Sequence, residues 1–129
     1  MNDHDPKLEG LKSSSFDPAA LWNRLNGDVD LLRDLVQIFS TERPGLLRNI
    51  GTAIQHNSFA DVQKFSHKLK GSALQLSGSG VAALAASLEQ MGARKSLEGA
   101  ARIFSELEQE AAKLERSLQS MTRGERWPG

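Results

Sequence analysis

The chain has three histidines and no cysteine, so a thiolate nucleophile, a thiolate metal site and a disulfide are all excluded. His67 has the most telling neighbourhood of the three. Lys64, Lys68 and Lys70 surround it, Gly71 and Ser72 follow, and no acidic residue occurs between Gln63 and Gln75. An ordinary imidazole titrates near pH ~6.5, so at neutral pH one ring nitrogen offers a lone pair to an electrophile. Ammonium groups beside it would stabilise an arriving anion. Glycine inside an exposed helix costs about 1 kcal/mol against alanine, and clearance beside the ring is a reason to accept that cost. The chemistry that suits this setting is receipt of a phosphoryl group from a docked protein. The plainer reading is a solvated helix face on which lysines happen to flank a histidine.

The element that must position His67 is a helix. At about 100° per residue, Val62, Phe65, Leu69, Ala73 and Leu76 fall within a sector of about 80°, and His67 lies about 160° from its centre. His67 therefore faces water. Lys64 and Lys70 sit one turn away, each about 60° off, Gly71 about 40° off, and Leu74 two turns along at about 20°. Leu74 is thus expected to be an apolar residue exposed beside the ring, with Lys68 as a second docking residue. Ser72 and Gln75 lie further round as hydrogen-bond donors.

The rest of the chain reads as helices that bury this one. Asp17-Pro18 is an N-cap followed by proline at the first helical position, and the short helix through Leu21, Trp22 and Leu25 ends at Asn26-Gly27. Asp28 opens a long stripe of Leu31, Leu32, Leu35, Ile38 and Phe39, resumed after Pro44 by Leu46, Leu47, Ile50 and Ile54. This predicts one helix kinked near Pro44 or two end to end. Ser58 with Asp61 resembles a capping box and opens the His67 helix over 59–76. Ser77 to Gly80 is read as the next break. Val81, Leu84, Ala85, Leu88 and Met91 then form a stripe stopped at Gly92. Ser96 is expected to cap the last helix, whose seam runs through Leu97, Ala100, Phe104, Leu107, Ala111, Leu114, Leu118 and Met121. The fold class is all-α: an antiparallel four-helix bundle with a short extra N-terminal helix. Residues 1–15 and 123–129 read as flexible tails around a single domain over 16–122.

With 129 residues the chain can bury one real core, and 16 Lys+Arg against 16 Asp+Glu leave it formally neutral. Neutrality argues against nucleic acid as the main partner and against adhesion to a membrane by bulk charge. The polar N-terminus carries no signal-peptide pattern, so a cytoplasmic location is expected. No Glu-x-x-His precedes any histidine and H-E-x-x-H is absent, so a metal-binding bundle enzyme is disfavoured and no metal ligands are assigned. His56 falls at a helix end, where a capping role suffices. No G-x-x-x-x-G-K-[ST] occurs, and Gly78-x-Gly80 follows a helix rather than a strand, so no ATP site is expected.

His67-Lys68-Leu69-Lys70-Gly71-Ser72-Ala73 resembles the His-x-x-Lys-Gly-Ser/Ala-Ser/Ala signature of histidine-containing phosphotransfer (HPt) domains, and the resemblance spans roughly residues 16–121. It implies a phosphocarrier rather than an enzyme, with His67 phosphorylated on Nε2, Lys70 steadying the phosphoryl oxygens and Gly71 leaving access for a partner aspartate. Lys64 is added as a second phosphate-stabilising cation on geometry alone. The implied partners are response-regulator receiver domains and a hybrid sensor histidine kinase. No cofactor of its own is implied; Mg²⁺ is expected on the receiver. Several relatives carry glutamine where this chain has Glu89. A carboxylate there either orients the imidazole through its other nitrogen or repels phosphate. A monomer is expected. The competing reading is a helical interaction module without phosphotransfer activity.

Overall fold

The computed structural model describes residues 16–123. They form five helices: α1 (Pro18–Arg24), α2 (Val29–Gln55), α3 (Phe59–Gln75), α4 (Ser79–Arg94) and α5 (Ala100–Thr122). Helices α2 to α5 run antiparallel through short turns, and each buries its stripe in a shared core that includes Leu32, Ile50, Leu69, Leu88, Leu107 and Leu118. Among the described residues the extended pairing is an isolated bridge between Phe16 and Gly78. No helix among them is long and apolar enough to cross a membrane. Both tails, apart from Arg123, lie outside the described residues.

The first two helix starts follow from capping chemistry. Asp17 accepts from the Ala20 N–H at 3.0 Å, and Asp28 accepts from the Leu31 N–H at 3.0 Å. Each satisfies an N–H that the first turn would otherwise leave orphaned. Between them Asn26 and Gly27 turn the chain in the left-handed region, with φ of 55° and 73°.

Helix α2 is a single 27-residue helix that runs through Pro44. Proline offers no N–H to the Ser40 carbonyl, but Val36 and Phe39 before it and Leu46, Leu47 and Ile50 after it bury on one core, and that shared burial favours one continuous helix over two.

Three other boundaries and one cap differ from the sequence reading. Ser58 is the N-cap of α3 but makes no side-chain cap bond. Its own N–H already bonds the Ala53 carbonyl at 2.9 Å, so the reciprocal half of a capping box has nothing to satisfy, and Asp61 is a methylene shorter than the glutamate that box uses. The break before α4 is only Leu76–Gly78, with Ser77 at φ 57°; Ser79 and Gly80 are already helical. Gly92 does not stop α4, which runs to Arg94 and ends on Lys95 at φ 58°. A Cβ at Gly92 would stand 2.6 Å from the Phe59 carbonyl oxygen and 2.8 Å from the Gln63 nitrogen, so this glycine is there for close approach of two helices. Finally, Ser96 is not a cap: α5 starts a turn later at Ala100, on Gly99 at φ 83°.

Helix α1 closes the end of the bundle where α3 finishes. The Asp17 N–H bonds the Ser77 carbonyl at 3.3 Å, and Arg24 Nη1 donates to the carbonyls of Leu74 at 2.6 Å and Gln75 at 2.9 Å. The guanidinium supplies donors and positive charge to the C-terminal end of α3, whose last carbonyls lack helical partners.

Candidate functional site

Helix α3 presents His67 between two residues it hides. Ser66 and Leu69 are fully buried, while the His67 side chain is 68% exposed. The buried set Val62, Leu69, Ala73 and Leu76, with Phe65 partly covered, is the sector expected from the spacing, and His67 and Leu74 lie on the opposite face. Leu74 is 50% exposed. Beside the ring Gly71 is open: among the described residues nothing stands within 4 Å of where its Cβ would be. Neither packing nor backbone conformation requires glycine there, which leaves clearance as its effect.

The adjacent helix completes the site. Gly92 of α4 lies against Gln63, one turn before His67; one turn back along α4, the antiparallel crossing carries Glu89 to the imidazole. Glu89 Oε2 is 2.8 Å from His67 Nδ1, and Glu89 Oε1 is 2.8 Å from Lys70 Nζ. One half-buried carboxylate thus bridges the histidine and the lysine. The Lys70 ammonium, bonded to Glu89, holds its pKa below the ordinary carboxylate range; partial burial opposes this and the His67 hydrogen bond reinforces it. An ionised carboxylate only accepts, so the proton between the two belongs to Nδ1. In the neutral imidazole Nε2 is then the nitrogen that carries the free lone pair.

The lysines divide between two sides of α3. Lys70 reaches toward α4 and is 28% exposed on Glu89. Lys68 lies on the opposite flank, exposed. Lys64 is exposed as well, with its ammonium 4.9 Å from the Phe65 ring centroid, and it is outside the Glu89 bridge. Ser72 is half-buried on the Lys68 side. The structure therefore gathers His67, Lys70, Glu89 and Gly71 and leaves Lys64, Lys68 and Ser72 peripheral. The purely cationic field read from residues 63–75 is corrected by Glu89, which comes from a different helix. Ser66, absent from the sequence reading, is buried beside the site, and its hydroxyl has no hydrogen-bond partner among the described residues. Arg24 was missed too, since a bond across fifty residues of sequence has no local signal. Among the described residues no three His, Cys, Asp or Glu side chains converge as a metal site would need.

Comparison with known proteins identifies the family and the fold. The family model of the Hpt domain matches residues 34–119, about two thirds of the chain. The chain belongs to the Hpt domain family. Its fold is similar to that of histidine-containing phosphotransfer protein B (HptB) from Pseudomonas aeruginosa PAO1, solved by crystallography, with a TM-score of 0.78 and 20% sequence identity over 86% of this chain and 96% of that one. No curated protein matches the chain.

Proposed function

We propose that this protein is a phosphorelay intermediate, accepting a phosphoryl group on His67 Nε2 from an aspartyl-phosphate of one receiver domain and passing it to an aspartate of another. The observation that carries this reading is the Glu89 carboxylate 2.8 Å from Nδ1, a contact that favours the neutral tautomer with its lone pair on Nε2. In the first step a P–N bond forms at Nε2 as the acyl phosphate P–O bond breaks and the donor aspartate leaves as a carboxylate. The second step reverses this toward the acceptor. Throughout, Glu89 holds the Nδ1 proton, so the ring leaves phosphorus as the neutral tautomer in which it began.

Phosphoryl transfer depends on positioning and charge stabilisation more than on covalent work by the protein. Lys70 is placed to exchange Glu89 for a phosphoryl oxygen, with Lys64 and Lys68 adding diffuse positive charge. Gly71 admits the partner's aspartate, and Leu74 offers apolar contact. The receiver domain supplies Mg²⁺ in this reading, and the phosphoryl group originates at a hybrid sensor kinase. A cytoplasmic monomer suits such a carrier.

The test is direct. Incubation with a phosphorylated receiver domain is expected to place acid-labile, base-stable phosphate on His67 and none on His67→Gln. Equal labelling of the variant, or no label with any receiver from the same organism, would leave a helical interaction module in place of a phosphocarrier.

A further inference from the structure

Helices α2 and α5 pack along a seam on the far side of the core from the α3–α4 seam that carries His67, and a groove of about 460 Å³ opens over it. Its floor is built from residues that a helix interior otherwise avoids. Pro44 and Gly51 are seven residues apart and lie about 20° from each other on one strip of α2. Neither carries a long side chain, and both are disfavoured inside a helix. A Cβ at Gly51 would stand 3.1 Å from Phe104 Cζ, so its absence lets that half-buried ring of α5 lie against the α2 backbone. The Pro44 ring, Leu47 and the Phe104 ring make the floor apolar.

The walls are charged, with opposite signs. Arg43, about 100° round α2 from Pro44, bonds Glu115, which marks the side on which α5 packs. Arg48 is about 40° from Pro44 in the other direction, with Thr52 about 40° beyond it, so both stand on the wall away from α5. Glu108 lines the groove from α5. Ser40 meets Glu115 and Gly51 meets Phe104, with eleven residues between the two positions on either helix, so Arg48 and Glu108 are level to within one residue. Yet they do not pair. Both are exposed, and neither has an ion-pair or hydrogen-bond partner among the described residues. The Arg48 guanidinium reaches back along α2 instead, with Nη2 3.9 Å from where a Cβ at Gly45 would be. An uncompensated cation and an uncompensated anion thus stand on opposite sides of one apolar floor.

We infer that this groove is a binding site for a zwitterion with an apolar body: a free α-amino acid with a large side chain. The ligand carboxylate accepts from the Arg48 guanidinium and the Thr52 hydroxyl, and its ammonium donates to the Glu108 carboxylate. Its side chain covers Leu47, Gly51 and Phe104. A ligand with a single charge leaves one wall uncompensated, and a ligand without an apolar body leaves the floor in water. The two charges therefore select the head group, and the floor selects the side chain. The assignment is independent of the phosphocarrier reading, because the groove lies across the core from His67.

The experiment titrates the full chain, followed by proton–nitrogen correlation NMR, with L-phenylalanine and three probes that each lack one part of it. These are 2-phenylethylamine without the carboxylate, 3-phenylpropionate without the ammonium, and glycine without the side chain. Phenylalanine is expected to shift amide signals within residues 43–55 and 104–108, and each truncated probe to bind at least about tenfold more weakly. Arg48→Ala is expected to abolish the preference for phenylalanine over 2-phenylethylamine while keeping that over 3-phenylpropionate. Glu108→Ala is expected to do the converse, which ties each charge of the ligand to one wall. Both positions are exposed, so helix content by circular dichroism is expected to be unchanged. Absence of shifts in these segments at millimolar phenylalanine overturns the inference. So do equal binding of all four compounds, shifts confined to the α3–α4 face, and preferences that survive both substitutions.

Discussion

The seam between α3 and α4 and the seam between α2 and α5 solve the same packing problem with different materials. Along the first, backbones approach closely: Gly92 lies on the Phe59 carbonyl and the Gln63 nitrogen, with Ala82 and Ala85 buried further along α4. Along the second, a polar knot sits among the apolar residues. Glu115 accepts from Ser40 at 2.6 Å and from Arg43 Nε at 2.8 Å, and Gln119 reaches both Glu115 and Ser40 at 3.4 Å. Surface grooves of about 460 and 270 Å³ flank that knot, one lined by Pro44, Gly51 and Phe104, the other by Val36 and Thr122. The reactive cluster is strung across the close seam. A hydrogen bond that must hold an imidazole at fixed angle is served by helices whose spacing is set by backbone contact.

Gly92→Val breaks the comparison most severely. Its side chain meets backbone atoms that cannot move aside, so a loss of roughly 3 kcal/mol or more is expected in denaturant unfolding. Under native conditions the widened seam is expected to detach Glu89 from His67, read as loss of the downfield Nδ1 proton in NMR. Retained stability with an intact Nδ1 signal would show that backbone contact does not set the site.

Glu115→Ala addresses the other seam. It leaves Arg43 and Ser40 half-buried without their acceptor, for a loss of about 1–3 kcal/mol, with receiver transfer at the wild-type rate. Slower transfer would show that the two seams are coupled. The same residue makes a pH prediction. Burial alone would raise the pKa of Glu115, but the hydrogen bonds from Ser40 and Arg43 outweigh it and hold the pKa below the ordinary 4.5. A carboxylate lowered on folding contributes stability that is complete above the unfolded value and is lost as pH falls through the folded one. Wild-type stability is thus expected to decline below about pH 4.5, and Glu115→Ala to decline less steeply, by thermal melts across that range.

The smallest expected effect lies at Gly71. Alanine meets nothing there and improves helix propensity, so a gain of about 0.5–1 kcal/mol is expected, with modestly slower transfer; a tryptophan in its place is expected to slow transfer far more at equal helix content. Transfer unchanged by both would remove clearance as the reason for this glycine.

The contrast also explains which features could be read from sequence. Everything governed by helical periodicity was legible: the buried sector of α3, the outward His67, the exposed Leu74, and caps at Asp17 and Asp28 whose partners lie three residues away. Gly92 was misread because a glycine that ends a helix and one that admits a neighbouring backbone look alike until the neighbour is in place. Ser96 failed as a cap because the turn geometry starts the last helix at Gly99, while Ser58 does stand at the N-cap and lacks only the side-chain bond. Glu89 was singled out by family likeness, with two opposed roles open. Only the antiparallel crossing of α3 and α4 puts its carboxylate on Nδ1 and Lys70 together, the arrangement an orienting role requires.

The Arg24 bonds to the end of α3 bear on where this protein can be cut. The region matched by the family model begins at residue 34, inside α2, yet the guanidinium that holds the Leu74 and Gln75 carbonyls lies ten residues upstream. A recombinant fragment trimmed to the matched boundaries would discard that clasp, the Asp28 cap and the first turn of α2. A fragment that keeps the clasp and the Asp17 contact to Ser77 has to include Asp17 and the whole of α1.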